Sequence, residues 1–247
     1  MPALVNREYE RDLGPFVAPT QAFLGGLEEC FVARSNTSTV YRIPWRLAGA
    51  DTAVYLKRFR NRDLLHALWS ILRPTRARVS WDGCAGLLER GFRAAEPLVC
   101  HETRRLGVLS DPTFFLCREV PGARPWRSLL CRDATARAAL LAHTGEWIGR
   151  LHEAGIDHRA IQPKNILVTG EDPASCELYA IEYNRIRIRG RVRPAARIRA
   201  LRLMLRDLAG SLSREEVDSF LEAYLRGSGE GDLAALRRRL GRVLLGG

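Results

Sequence analysis

Lysine is almost absent from this sequence. Of the 39 basic residues only Lys57 and Lys164 are lysines, so nearly all of the positive charge is carried by arginine. A chain with this bias is expected to keep a lysine where a compact ammonium group on a flexible stem is needed rather than a planar guanidinium. Both lysines fall inside the motifs described below, although two residues can also coincide with motifs by chance.

Long apolar runs, a leader and paired cysteines are also lacking. No segment approaches the roughly 18 apolar residues of a membrane-spanning helix, and residues 1–8 lack a basic region followed by an apolar stretch. We therefore expect a protein that is not secreted. The six cysteines are scattered, without a Cys-x-x-Cys pair or a histidine at ligand spacing. The sequence thus indicates neither a zinc site nor a disulfide framework.

The charge balance favours anionic partners. A formal net charge of +11 attracts nucleic acid, phosphorylated saccharides and anionic lipid headgroups alike. No stacked-aromatic RNA motif and no helix-turn-helix pattern accompanies this charge, so nucleic acid is the least favoured of the three.

The first half of the chain predicts an antiparallel sheet. Two β-rich runs, residues 40–43 and 53–59, flank a polar turn at Gly49-Ala50-Asp51, as in a hairpin. A later buried strand is predicted at residues 114–117 and ends before Pro121-Gly122. Between these strands, apolar residues recur at helical spacing in residues 64–72 and 81–91.

The second half is predicted to be mostly helical. Residues 134–154 form the longest predicted helix, with Asp133 as its cap and Gly155 as its end. The other predicted elements are strands at residues 166–168 and 178–181, a helix marked by Ile198, Leu201, Leu205 and Leu208, a helix opened by the capping box Ser213-x-x-Glu216, and a helix marked by Leu233, Leu236 and Leu240.

The most informative stretch is residues 151–168. It contains His158-Arg159-Ala160 and, five residues after Ala160, Asn165, which matches the spacing of the kinase catalytic loop His-Arg-Asp-Leu-x-x-x-Asn between a helix and a strand. In that chemistry the asparagine holds Mg²⁺ against the nucleotide phosphates, and the aspartate accepts the proton of the attacking hydroxyl. Ala160 stands at the position of this aspartate, and its side chain can neither orient the attacking hydroxyl nor accept its proton.

Lys57 on a predicted third strand fits the lysine that pairs with the nucleotide phosphates in kinases. A solvent-exposed lysine at a sheet edge is the alternative interpretation. The phosphate-covering turn is predicted at residues 34–39, where hydroxyls and backbone amides replace the usual glycines. A Ser/Thr/Asn cluster of this kind is also common in ordinary loops.

Glu182 follows the predicted strand at residues 178–181, where kinases place the Asp-Phe-Gly aspartate that contacts metal. Glutamate is also a hard oxygen ligand but one methylene longer, so a surface carboxylate beside Arg185 is an equal alternative. The phosphate-binding lysine also needs a carboxylate partner. The candidates are Ser80, Asp82 and Glu89, and none is compelling.

With these residues identified, the chain resembles the bacterial lipopolysaccharide-core sugar kinases, a heptose- and Kdo-kinase-like family of the protein-kinase superfamily. The resemblance covers nearly the whole chain and rests on residues 35–42, 55–59, 87–98, 151–155, 158–159 and 180–185. It implies an α+β, bilobal protein-kinase-like fold with a small antiparallel-sheet N-lobe at residues 1–118 and a mostly helical C-lobe at residues 119–247.

The resemblance also implies ATP and Mg²⁺ as cofactors, and a lipid-linked core sugar or other anionic saccharide as the acceptor. It implies a cytoplasmic protein, with peripheral association at the inner membrane as an open alternative. The expected nucleotide-binding residues are Lys57, Ser35, Asn36, Thr37, Ser38, Glu119, Val120 and Asn165, the expected metal ligands are Asn165 and Glu182, and His158 and Arg159 complete the loop around Ala160.

Two functions remain open from these residues. One is a kinase, slowed by the loss of its base, that transfers phosphate to a sugar hydroxyl. The other is a pseudokinase that keeps the nucleotide site and regulates or scaffolds a protein partner. Asp157 and Gln162 are close to Ala160 in sequence, but Asp157 precedes the loop and is expected to point elsewhere.

Two basic segments suggest further contacts with anions. If residues 185–193 are extended, the five arginines at every second position share one face. A solvated basic strand is the alternative. The predicted helix at residues 64–72 is flanked by basic residues and could lie on an anionic membrane surface, although an apolar helical stripe is more often core. These flanking residues are Arg58, Arg60, Arg62, Arg73, Arg76 and Arg78.

Overall fold

The computed structural model describes residues 3–60, 73–105, 108–130, 133–208, 210–229 and 231–241. The chain divides into two compact units: Met1–Ala85 with Ala95–Pro121, and Gly86–Ala94 with Gly122–Gly247. The sequence-based lobe boundary between residues 118 and 119 stays a prediction. The helix predicted at residues 64–72, and with it the proposed membrane-facing stripe, lies outside the described residues.

The first unit is built on an antiparallel sheet. Its strands are β1 (Leu4–Val5), β2 (Phe31–Arg34), β3 (Ser38–Leu47), β4 (Ala50–Phe59), β5 (Pro97–Arg105) and β6 (Val108–Arg118), in the spatial order β1-β5-β6-β4-β3-β2. The predicted strands at residues 40–43, 53–59 and 114–117 lie within β3, β4 and β6.

The β3–β4 hairpin turns one residue earlier than the sequence predicts. The two turn residues are Ala48 and Gly49, with φ of 48° and 81°, and Ala50 and Asp51 already belong to β4. A two-residue hairpin of this kind requires positive φ at both central positions, which places the glycine inside the turn rather than at its start.

The N-terminal segment packs against this sheet. It contains the short helices α1 (Gly14–Val17) and α2 (Gln21–Gly26), which precede β2. Phe16 is fully buried in one cluster with sheet residues such as Tyr41 and Leu116. The core of the first unit therefore lies between the segment before β2 and the sheet. Among the described residues, a longer helix that begins in this unit is α3 (Arg76–Glu89).

In the second unit, α5 (Ala134–Glu153) is the helix predicted from the sequence, and α4 (Arg127–Leu130) precedes it. The Asp133 side chain accepts a hydrogen bond from the Ala136 amide at 2.9 Å, and Gly155 takes the left-handed conformation that ends the helix, with φ of 76°. Leu140, Trp147 and Leu151 are buried as expected.

Helix α5 packs on α7 (Arg214–Ser228) with unusually close backbones. A Cβ atom on Gly149 would lie 2.3 Å from the Tyr224 carbonyl oxygen, and one on Gly145 would lie 2.3 Å from that of Phe220. The capping box predicted at Ser213 and Glu216 is present at the start of α7. The other closing helices are α6 (Pro194–Arg206) and α8 (Leu233–Leu240). Leu208 lies just past the end of α6, rather than within it.

Two small antiparallel sheets complete the second unit. One pairs β7 (Arg124–Pro125), β9 (Ile166–Thr169) and β10 (Glu177–Ala180), and the other pairs β8 (Ile156–His158) with β11 (Ile186–Ile188). Because β7 and β10 flank β9 on either side, the two strands predicted at residues 166–168 and 178–181 are adjacent.

The arginines of residues 185–193 were expected to share one face only if the whole segment is extended, and this condition is not met. Strand β11 covers only Ile186–Ile188, because its partner β8 is also three residues long, and the chain bends at Gly190. Arg187 donates to the carbonyl oxygens of Asn184 and Ile186, at 3.2 and 2.8 Å. Arg189 instead lies 3.6 Å from the Asp157 carboxylate.

Candidate functional site

The catalytic-loop motif connects β8 to β9 in the second unit. His158 ends β8, Ala160 lies in the following loop, and a 3-10 turn at Pro163–Asn165 leads into β9. Proline at the start of this turn supplies the fixed φ that such a turn needs. The predicted helix before the loop and the predicted strand after it are both present, and the short strand β8, which the sequence analysis does not predict, lies between the helix and the loop.

His158 is buried, and its ring makes two hydrogen bonds that order this loop. Its Nε2 lies 2.8 Å from the Ile181 carbonyl oxygen, which only accepts, so Nε2 carries the proton. Nδ1 then accepts the hydrogen bond from the Ala160 amide at 3.2 Å. Burial lowers the pKa of His158, which keeps the imidazole neutral. The side chain thus holds together the catalytic loop and the segment that leads to Glu182.

Asn165 is fixed by the backbone of the residue that replaces the base. Its side-chain Nδ2 donates to the Ala160 carbonyl oxygen at 2.7 Å, and its own carbonyl oxygen accepts from the Ile181 amide at 3.0 Å. Because the amide's donor end is used in this way, its Oδ1 oxygen remains as the acceptor. Because this hydrogen bond uses only the backbone of residue 160, an alanine side chain there is compatible with it.

Glu182 directly follows Ile181, whose two backbone hydrogen bonds tie it to His158 and Asn165. It adopts the left-handed conformation, with φ of 64° and ψ of 45°. For a residue with a Cβ this conformation costs of the order of 1–3 kcal/mol, and such strain concentrates at functional sites. The strain at Glu182 is therefore a physical reason to treat this carboxylate as part of a site.

The donor set fits a magnesium ion that is shared with a nucleotide. Asn165 and Glu182 offer hard oxygen ligands from adjacent segments, and Mg²⁺ is typically held by one or two protein oxygens together with phosphates and water. Among the described residues, no group of three or more His, Cys, Asp or Glu side chains is placed to hold a metal by itself. A metal here would thus depend on the phosphates for most of its ligands.

Asp157 is not available as a replacement base. It is only 4% exposed in β8, and its carboxylate accepts from Arg199 at 2.7 Å and faces Arg189 at 3.6 Å. Arg159 is exposed, and its backbone amide donates to the Arg185 carbonyl oxygen. Gln162 accepts from the Asn165 amide through its backbone and carries an amide side chain that cannot act as a base.

Lys57 lies in the first unit, in the middle of the sheet. It is opposite Val40 of β3 and Phe115 of β6, so its strand is central rather than at an edge. Its ammonium nitrogen is 5.8 Å from the ring centroid of Phe59, within cation–π range. Of its candidate partners, Ser80 donates to the Arg76 carbonyl and Asp82 accepts from Arg78.

The turn at residues 35–38 is closed by its own hydroxyl groups. The Ser35 Oγ accepts from the amides of Thr37 and Ser38, at 3.3 and 3.1 Å, and lies 3.0 Å from the Ser38 Oγ. Asn36 is exposed at the tip of the turn. A phosphate bound by these amides would have to displace the Ser35 hydroxyl.

The connection after β6 holds the Glu119 side chain in place. Arg42 donates to both carboxylate oxygens of Glu119, at 2.7 and 2.8 Å, and this hydrogen bonding lowers the pKa of Glu119. The Tyr55 hydroxyl lies 3.4 Å from the same carboxylate. Val120, the next residue, is partly buried.

Sequence reasoning missed the contacts that order these segments. Arg42 and Glu119 are 77 positions apart, and Arg199 and Asp157 are 42 apart, so no local pattern connects them. The strained backbone at Glu182 also gives no signal in residue identity. The spacing from His158 to Asn165 is the local signal that predicts this loop from the sequence.

We compared this chain with solved structures, with protein-family profiles and with curated sequences. A solved structure described as WaaP in complex with acyl carrier protein matches with a TM-score of 0.70 and 18% identity, over 99% of this chain and 95% of that one. The α+β, protein-kinase-like fold predicted from the sequence is thereby confirmed. The profile of the lipopolysaccharide kinase (Kdo/WaaP) family matches residues 33–224, and the chain belongs to this family. A search of curated protein sequences gives no significant match.

Proposed function

We propose that this protein is a kinase-like nucleotide-binding member of its family that has lost base-assisted phosphoryl transfer. The observation that carries the proposal is that residue 160 is an alanine whose backbone still contacts Asn165. Its alanine side chain cannot accept a proton, whereas its backbone carbonyl still holds Asn165 at 2.7 Å. This arrangement supports a site that binds nucleotide but has no base to accept the proton.

In this proposal ATP binds with Mg²⁺. Lys57 supplies a point charge for the phosphates, and Asn165 and Glu182 supply oxygen ligands for the metal. The amides of the turn at residues 35–38 and the backbone of Glu119 and Val120 complete the nucleotide contacts. When bound, the ion would neutralise phosphate charge. The chain's own residues would orient the phosphates.

The expected loss in rate is large but finite. Proton transfer by a positioned base typically contributes about 10²–10⁴-fold. Asp157 cannot replace it, because two arginines engage its buried carboxylate.

Slow transfer to a sugar hydroxyl of the lipopolysaccharide core is the second candidate function. Family membership favours it, whereas the strained conformation of Glu182 fits a bound metal in either function. Phosphoryl transfer also depends mainly on positioning and on charge neutralisation, which need no base.

The partner differs between the two functions. A slow kinase would act on an anionic, lipid-linked saccharide, and the expected place is the cytoplasmic side of the inner membrane. Among the described residues, no helix is long and apolar enough to cross a membrane. A scaffold would instead bind another protein, and the solved WaaP complex contains acyl carrier protein as a partner of that kinase.

The test compares two substitutions of similar size at residue 160. Ala160→Asp restores a base, and Ala160→Asn adds the same bulk without one. We expect the native protein and both variants to show a melting-temperature increase with ATP and Mg²⁺, and Lys57→Ala to lose most of it. With a core-sugar acceptor, Ala160→Asp should transfer phosphate about 10²–10⁴-fold faster than the native protein and Ala160→Asn.

Native transfer as fast as that of Ala160→Asp would contradict the loss of base-assisted chemistry. A native protein whose melting temperature does not respond to ATP and Mg²⁺ would contradict the nucleotide site itself. Measurable but slow native transfer, equal to that of Ala160→Asn, would select the second candidate function.

A further inference from the structure

An arginine-lined groove lies between α6 and α8, within the second unit. Its cavity has a volume of about 560 Å³, in the range of small-molecule sites. Ala195, Ile198 and Leu203 of α6 form its apolar part. Four arginines complete the lining: Arg199, Arg202, Arg206 and Arg239.

The arginines come to one groove through helix geometry. Arg199, Arg202 and Arg206 are spaced by three and four residues, so they project from one face of α6. Arg239 reaches the same groove from the last turn of α8. Like charges at this spacing repel one another, so the cluster costs stability unless something compensates for it.

Two of the four arginines have structural contacts that hold them in place. Arg202 donates to the Arg239 carbonyl oxygen at 2.6 Å, and Arg199 donates to Asp157 at 2.7 Å. The Nε of Arg199 is buried and has no hydrogen-bond partner. A buried donor left in this way costs free energy.

The other two arginines make no ion pair within the described residues. Arg206 and Arg239 are both exposed, and the lining of this cavity contains no carboxylate. An adjoining cavity contains Asp232, but this side chain caps α8 by accepting from the Ala235 amide at 2.8 Å. The groove therefore keeps an uncompensated positive charge.

We propose that this groove binds the phosphate group of a phosphate ester, whose carbon skeleton rests on the apolar residues of α6. Guanidinium groups match phosphate in geometry and charge. Helix α8 lies beyond residue 224, where the family match ends. None of the residues that line the groove belongs to the loop that carries Ala160.

The test uses two double variants with the same change in net charge. Arg206→Gln/Arg239→Gln removes two groove arginines, and Arg226→Gln/Arg238→Gln removes two exposed arginines near the ends of α7 and α8 that do not line the cavity. Binding of glucose 1-phosphate is measured by calorimetry, and binding to phosphatidylglycerol vesicles by sedimentation against phosphatidylcholine. If a double variant folds poorly, the same measurements are made on the single variant Arg239→Gln, with Arg238→Gln as its control.

We expect at least one of the two phosphate esters to bind the native chain. The groove pair should weaken this binding by about 100-fold, since one charge-assisted contact is worth roughly tenfold in affinity. The matched pair should change it by less than about threefold, and both pairs should keep the native melting-temperature response to ATP and Mg²⁺. Binding of glucose 1-phosphate identifies a saccharide phosphate as the ligand, and binding of vesicles alone identifies a lipid headgroup.

Two results would overturn the proposal. One is the failure of both phosphate esters to bind the native chain. The other is an equal loss of binding in the two double variants, which would show that only net charge matters. Because the ATP response is recorded on the same samples, failure of the groove is distinguishable from failure of the nucleotide site.

Discussion

At the scale of single residues, the side chain and the backbone of residue 160 have separate roles. The alanine removes the proton acceptor, but its amide donates to His158 and its carbonyl accepts from Asn165. Any residue except proline can make these backbone contacts, so one substitution can remove the proton acceptor and preserve the hydrogen bonds of the loop. The motif predicted the missing base, whereas these backbone contacts could be found only in three dimensions.

Asn165 combines loop structure with the proposed metal contact, and two substitutions separate these roles. Asn165→Ala removes both the donor to Ala160 and the oxygen for the metal, while Asn165→Asp removes the donor but keeps an oxygen. We expect both variants to unfold a few °C lower than the native protein, because a buried acceptor left without its donor costs about 1–3 kcal/mol. Thermal melts without ligand measure this effect.

The same melts with ATP and Mg²⁺ test the metal role. Asn165→Asp should keep a melting-temperature increase, and Asn165→Ala should lose most of it. A full response in Asn165→Ala would show that this side chain does not contact the metal. An unchanged melting temperature without ligand would show that the bond to Ala160 contributes little.

At the scale of elements, the sequence predicted the strands and helices better than the contacts between them. Helix α5 and its cap follow from Asp133, Gly155 and the apolar spacing, because these signals are local. Residues 185–193 alternate Arg with Ile and Val and would present one basic face if extended, but such alternation describes a strand only where a partner strand exists. Strand β8 ends after three residues, and the pairing ends with it.

The packing of α5 on α7 gives a prediction at this scale. Alanine is about 1 kcal/mol more favourable than glycine inside a helix, yet we expect Gly149→Ala to destabilise the protein by about 1–3 kcal/mol. Its Cβ would lie 2.3 Å from the Tyr224 carbonyl oxygen and 2.7 Å from the Ser228 amide, so the two helices would have to separate. Denaturant unfolding measures the change.

Gly25→Ala in α2 is the matched control, since nothing lies within 4 Å of a Cβ at that position. This variant should be neutral or stabilised by up to about 1 kcal/mol. If Gly149→Ala behaves in the same way, the close approach of the two helices is not a constraint on stability.

At the scale of the whole molecule, buried histidines make stability depend on pH. His152 is 2% exposed, and its Nδ1 is 3.0 Å from the Tyr224 hydroxyl. Burial, with further effects from Arg197, Arg199 and His158, lowers its pKa to about 3. Burial also lowers the pKa of His158 in the second unit and of His101 in the first. All three shifts act in the same direction.

The sign follows from the proton balance of the two states. Below the unfolded pKa of about 6.5, the unfolded chain binds a proton at His152 that the folded chain does not bind until about pH 3. The stability that neutral His152 contributes is therefore complete above pH 6.5 and decreases as the pH falls. Each pH unit below 6.5 costs up to about 1.4 kcal/mol for this one group, or about 2 kcal/mol by pH 5.

Denaturant unfolding between pH 7 and pH 5 tests this dependence. Carboxylates with lowered pKa, such as Glu119, lose their contribution only at lower pH, so this window reports mainly on histidine. His152→Gln keeps a hydrogen-bonding partner for Tyr224 but no longer titrates, and it should reduce the pH slope by about one proton. Tyr224→Phe lowers stability at all pH values and should keep the slope. Equal slopes in His152→Gln and the native protein would mean that folding does not lower the pKa of His152.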